Sequence, residues 1–212
     1  HYRLFEKCEF VWEVLSKLKE YILSLKLGNI SADVPHQAFI EHPELVSIGE
    51  GTIIEPGAFI RGPCVIGKNC QIRHGAYIRG SALIGDNCVV GHDTEVKNAI
   101  FMDYAQAGHF AYLGDSILGV YVNLGAGTKC ANLKLDKSNI CLKKNGRNLD
   151  SGLRKFGAIL GDYSQTGCNS VTNPGTLLGP ACQIYPCVNV GGYIPASSLV
   201  RPKDKPEIQL MD

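Results

Sequence analysis

The sequence predicts an all-β solenoid, a parallel β-helix of hexapeptide repeats with an α-helix at its N-terminus. Three observations predict it. Aliphatic residues stand six apart without a miss at Ile48, Ile54, Ile60, Ile66, Ile72, Ile78, Ile84, Val90 and Val96. The position four after each of the first eight is small: Thr52, Ala58, Cys64, Cys70, Ala76, Ala82, Cys88 and Thr94. Glycine follows the aliphatic residue at Gly49, Gly67, Gly85 and Gly91. A period of six fits neither an α-helix nor a simple alternating strand. It fits a coil in which each hexad supplies one short strand and one turn. The aliphatic side chain points inward, the small residue fills the remaining space, and glycine relieves the corner. Three hexads close one triangular coil, and coils stack at ~4.8 Å.

The elements follow in order. Residues 1–44 form an N-terminal helical cap and connector. Phe5, Cys8, Val11, Trp12, Leu15, Leu18, Tyr21, Ile22 and Leu25 recur at three- and four-residue intervals, which predicts an amphipathic helix from about 4 to 26. An open coil end exposes its core, so this helix is expected to cover that end or to pack between prisms. Residues 45–200 form the β-helix, whose main prism runs over about 48–128. The rhythm breaks at Met102, and Gly108 occupies a position expected to be aliphatic. Leu118 and Leu124 restart the pattern. A third run holds Leu160, Thr166, Thr172, Leu178, Ile184 and Val190, weakened by its two threonines. Between the runs lies a basic insertion at about 129–158. Residues 201–212 form a C-terminal tail.

Composition narrows the partners. Net charge is +1, which argues against nucleic acid. No stretch reaches the ~20 apolar residues of a membrane span, and the first residues lack the zones of a signal peptide. A cytoplasmic location is therefore expected. Of nine cysteines, Cys64, Cys70, Cys88 and Cys182 fall in the small inward slot, so reduced structural thiols are expected. The insertion concentrates Lys129, Lys134, Lys137, Lys143, Lys144, Arg147, Arg154 and Lys155 against Asp136 and Asp150. That charge reads either as a clamp for a phosphorylated ligand or as a solvated loop.

Local failure of a strict pattern is where a functional site is expected. The break holds the stretch from Ala107 to Asp115, followed by residues 122–128 and Asn132. His109 is the natural general base there, since imidazole titrates near neutral pH. An inert histidine is the competing reading, as it is for His36, His74 and His92.

The stretch AGHFAYLGDSILGVYVNLGAGT resembles the acetyltransferase domain of the bifunctional N-acetylglucosamine-1-phosphate uridyltransferase / glucosamine-1-phosphate acetyltransferase family, with its AGH-x-x-YLGD…VN-[IL]-GAGT motif. It is similar, too, to archaeal sugar-1-phosphate nucleotidylyltransferases with acetyltransferase activity, and SGLRKFGAILGD looks like that branch. The resemblance covers roughly residues 45–192. Residues before 45 do not resemble the family's nucleotidyltransferase domain. The resemblance implies a left-handed β-helix, a homotrimer with sites between subunits, and a CoA-dependent N-acetyltransferase acting on an amino-sugar 1-phosphate. It implies His109 as general base, Asn132 and Tyr112 on the amino sugar, and Arg79 and Lys97 on its phosphate. The backbone of Ala126 would face the acetyl carbonyl of acetyl-CoA. Cys168 takes the place of a pantetheine-side serine, Pro186 lies near the adenine end, and Arg201 is a 3′-phosphate contact. The family's lysine six residues after the asparagine is Ser138 here, with Lys137 one residue earlier. No metal is required for this acyl transfer. A metal hydratase on the same scaffold fits poorly, because no histidine follows His109. Two other readings stay open: an acyltransferase with a different donor or a sugar-nucleotide acceptor, and a non-catalytic subunit partnering a separate nucleotidyltransferase.

Overall fold

A computed structural model describes residues 1–6, 8–144 and 147–203. The chain winds into a left-handed parallel β-helix whose three sheets each hold eight strands. Sheet 1 begins with Phe39–Glu41, sheet 2 with Val46–Ile48 and sheet 3 with Ile53–Ile54, and each coil visits them in that order. The six-residue stripe lines the interior. Ile48, Ile60, Ile66, Ile72, Ile78, Ile84, Val90 and Val96 are buried in one continuous core, and the small slots fill the space between them. Burying each such aliphatic side chain contributes about 1.5–3 kcal/mol. The threonines of the third run also point inward, where Thr166 shares a 2.8 Å hydrogen bond with Thr128.

The break in the rhythm falls elsewhere than the sequence suggests. Val96 pairs with Ile78, eighteen residues back, but with Leu113, only seventeen residues on. The inward residues run Val96, Phe101, Ala107, Leu113, Leu118. Gly108 is therefore not in an inward position, and Ala107 takes it. One residue is missing at the corner between sheets 1 and 2. There, Gly80 and Ser81 both adopt the left-handed conformation, whereas the next two coils turn on single left-handed residues, Asn98 (φ 48°) and Asp115 (φ 49°). Asn and Asp are the side-chain-bearing residues that tolerate this conformation best.

The N-terminal helix is shorter than its periodicity predicts. An α-helix, α1, spans Val14–Leu23, preceded by 3-10 turns at Tyr2–Leu4 and Val11–Glu13. Phe10 is extended, stacks its ring 4.5 Å from Trp12, and donates its N–H to the Glu13 carboxylate at 3.3 Å, which restarts the helix. The helix does not cap an end. Val14, Leu15, Leu18 and Ile22 lie on the outer face of sheet 2, over Leu83, Ile100 and Ile117.

The basic insertion joins them. Cys141–Lys144 and Arg147–Asp150 form an antiparallel hairpin, and Ile140, Leu142 and Phe156 pack into the same outer cluster, with Phe156 6.1 Å from Trp12. These apolar residues decide the place of the insertion, and its hairpin is drawn to sheet 2. The side chains of Lys144 and Arg147 lie outside the described residues, as do residues 204–212 of the tail. Among the described residues no helix is long and apolar enough to cross a membrane.

All nine cysteines are free, and Cys64, Cys70, Cys88, Cys130 and Cys182 are buried. Burial pushes the Cys64 thiol up to about 12 and the Cys130 thiol up to about 11. These are inert packing groups.

Candidate functional site

Two edges of the prism collect the residues that carry chemistry. The first is the edge between sheets 3 and 1. His109 ends strand Gln106–His109 and pairs in register with His92. Its backbone carbonyl accepts from Gly127 N–H at 2.9 Å, the Ala126 carbonyl from Asn169 N–H at 2.7 Å, and the Cys168 carbonyl from Cys187 N–H at 2.9 Å. These bonds and the strand registers stack His109, Ala126, Cys168 and Pro186 in one column parallel to the solenoid axis. Three coil steps of ~4.8 Å separate its ends, so the column is roughly 14 Å long. Arg201 follows strand Leu199–Val200 one coil further on.

Among the described residues the His109 ring is exposed and has no hydrogen-bond, ion-pair or ring partner. The Ala126 N–H is likewise unpartnered among them, although its neighbours on both sides donate. His74 and His92 behave differently: their rings stack 5.7 Å apart, and Phe110 packs edge-on against His92 at 5.1 Å. Among the described residues no three His, Cys, Asp or Glu side chains form a group that could hold a metal ion. Beside the column's far end, sheet 3 carries a shallow cavity of about 230 Å³ lined by Gln165, Gln183, exposed Tyr185, Pro186 and Leu199.

The second edge lies between sheets 1 and 2. Arg61, Arg79 and Lys97 occupy the same outward position in successive strands of sheet 1. Each is already paired with a carboxylate of the chain. Arg61 pairs with Glu41, Arg79 with Glu95 at 2.6 Å, and Lys97 with Asp115 at 2.9 Å. The hydrogen bond that Arg79 donates to the Glu95 carboxylate raises the Arg79 pKa above its usual value. Asn132 donates its amide to Asp115 at 2.6 Å, and Tyr112 O–H reaches the Asn132 carbonyl oxygen at 3.4 Å. Burial first, then the Glu95 and Asp115 carboxylates, push the Tyr112 phenol upward, so it is neutral and a donor at physiological pH.

The structure thus brings Lys97, Tyr112 and Asn132 together, with Arg79 one coil below. The three-residue strand Tyr112–Gly114 separates this group from the His109 edge, a span of roughly 10 Å. Lys137 is not brought in. It sits on an exposed turn (φ 58°), where its N–H meets the Lys134 carbonyl. Asp115 is the residue that the sequence reading passed over. No local signal marks it, since the donors that a buried acid needs meet only when the coils are wound.

Solenoid and site together define a class, the left-handed β-helix proteins of hexapeptide repeats. The fold is shared with an Arabidopsis UDP-N-acetylglucosamine acyltransferase, at a TM-score of 0.51 and 15% identity over 80% of this chain and 69% of that one. The chain belongs to the GMPPB C-terminal domain family, whose model matches residues 60–199. It is similar to the bifunctional sugar-1-phosphate nucleotidylyltransferase/acetyltransferase of Sulfurisphaera tokodaii, 34% identical over 80% of this chain and 41% of that protein. It is also similar to the bifunctional protein GlmU of Methanococcus maripaludis, 31% identical over 92% and 46%. The chain therefore spans less than half the length of these relatives.

Proposed function

We propose that this chain is a CoA-dependent N-acetyltransferase acting on an amino-sugar 1-phosphate. The observation that carries the reading is the column on the 3/1 edge, an exposed and partnerless His109 beside the free N–H of Ala126. The sugar amine attacks the thioester carbonyl of acetyl-CoA. As the C–N bond forms, His109 takes the amine proton. The Ala126 N–H donates to the developing oxyanion, and the C–S bond then breaks to release the CoA thiolate. Tyr112 and Asn132 hold the sugar, while Lys97 and Arg79 meet its phosphate; an Arg that commits one donor to Glu95 retains others for phosphate oxygens. The column length suits an extended donor, with Cys168 along the pantetheine and Pro186 and Arg201 toward the nucleotide. The name of the Sulfurisphaera tokodaii relative joins acetyl transfer to sugar-1-phosphate nucleotidylyl transfer, which supports this substrate class. A nucleotidyltransferase is the corresponding partner.

A prism presents its edge as a convex ridge, so water has access to His109 until a second wall closes on it. A neighbouring copy in a homotrimer supplies that wall. The test is thiol release from acetyl-CoA across a panel of amino-sugar phosphates, for wild type and His109→Ala. A loss of roughly a hundredfold or more is expected for the variant. Equal rates would remove His109 from the mechanism, and a monomer mass by light scattering would remove the second wall.

A further inference from the structure

Asp115 is 4% exposed, and it is the buried acid at the shortened corner. A carboxylate so deep is costly unless its lone pairs are all met. They are. Lys97 Nζ donates to Oδ1 at 2.9 Å and to Oδ2 at 3.0 Å. Asn98 Nδ2 donates to Oδ1 at 2.8 Å, and Asn132 Nδ2 to Oδ2 at 2.6 Å. Four donors occupy about four acceptor sites. Asp115 therefore has nothing left with which to accept a proton from, or bind, a substrate ammonium.

Its effect runs through its partners. A carboxylate only accepts, so the Asn132 amide must turn Nδ2 toward it and leave Oδ1 outward on the Tyr112 side. Flipping the amide would set two acceptors against each other. Lys97 is held by the same carboxylate with two of its three donors, which fixes the ammonium in place on the sheet 1 surface. Gly114 supplies an independent sign that this arrangement is built. A Cβ there would come within 2.4 Å of Asn132 Nδ2 and 2.6 Å of Tyr112 Oη. The two side chains cross directly over that glycine, whose own backbone is not left-handed.

We propose that Asp115 is a positioning residue for the acceptor. It sets Asn132 as a hydrogen-bond acceptor, which selects a donor-bearing sugar, and it pins Lys97 for the phosphate. The inference rests on the acetyltransferase reading above for what the acceptor is, and the test separates the two. Glucosamine 1-phosphate binding is measured by calorimetry, and steady-state kinetics are measured with acetyl-CoA, for wild type, Asp115→Asn and Gly114→Ala. Both variants are expected to weaken sugar-phosphate binding and raise its KM roughly 10-fold or more, as when a hydrogen bond to a charged group is broken. The KM for acetyl-CoA is expected to stay within about twofold, an acceptor-only effect that general loosening would not give. The double exchange Asp115→Asn with Asn132→Asp keeps a hydrogen bond and an outward acceptor, and is expected to recover part of the binding. Unchanged binding in both single variants with normal turnover would overturn the positioning role and leave the transferase reading standing. Equal losses for both substrates would overturn it as well. Weakened binding in a protein that turns nothing over would keep the positioning role and sink the reaction. Failure of wild type to bind the sugar phosphate would end the proposal.

Discussion

The two edges of sheet 1 differ in how much of their chemistry the chain completes by itself. On the 1/2 edge the charged groups of the site are paired: Asp115 gathers Lys97, Asn98 and Asn132, and Arg79 has Glu95. On the 3/1 edge His109 and the Ala126 N–H have none among the described residues. A closed network is how a fold holds groups still while a ligand arrives. Exposed and partnerless groups sit where a fold awaits something else. Under the proposed function, acceptor recognition is prepared inside one chain, whereas acyl transfer needs what comes to the open edge.

Breaking the open edge should produce the largest effect. Replacing Ala126 by Pro removes an N–H that makes no internal bond, so stability should hold while kcat falls by roughly 10²–10³. Thiol release and a melting curve check both halves; a normal kcat would mean that the amide does not face the carbonyl. A smaller effect is expected at the closed edge. Asn98 Nδ2 also reaches the Leu15 carbonyl of α1 at 3.1 Å, which ties the helix to the Asp115 network. Asn98→Ala should cost about 1–3 kcal/mol, since it leaves a buried acid short of a donor. Denaturant unfolding would show it, together with a modest rise in the acceptor KM.

The same contrast sharpens with thiol chemistry. Cys168 and Cys187 on the open edge, and Cys141 on the hairpin, are exposed, and should react with a thiol reagent in the native state. The five inward cysteines should react only on unfolding, and acetyl-CoA should slow Cys168 alone. The smallest effect concerns the weak third run. The buried Thr172 hydroxyl meets nothing better than the Cys130 thiol. Thr172→Val should therefore stabilise the prism by about 1 kcal/mol, read as a shift in the denaturation midpoint, without touching activity.

Much of this was legible in the residues, for physical reasons. A solenoid repeats one environment, so each inward position writes the same residue type every sixth place, and Ile48 to Val96 could be placed without a structure. The corner defeated that logic. A one-residue deletion and a lost repeat look alike in sequence, so the break was read at Met102 and Gly108 although it lies at Asn98. Asp115 went unweighed because its importance is collective: it depends on donors from the coils on either side, Lys97 and Asn98 from one and Asn132 from the other, that only the winding brings together. The helix ran too long because periodicity does not register a single extended residue such as Phe10. The packing of the insertion was not legible, since Ile140, Leu142 and Phe156 are spaced too irregularly to announce a buried face.

If the acyl donor lies along the 3/1 edge, the histidine ring signals of the isotope-labelled protein report on it directly. On titration with CoA, the His109 ring resonances should shift, with His92 following weakly and His36 and His42 unmoved. A titration that saturates while His109 stays still would place the donor elsewhere and contradict the account.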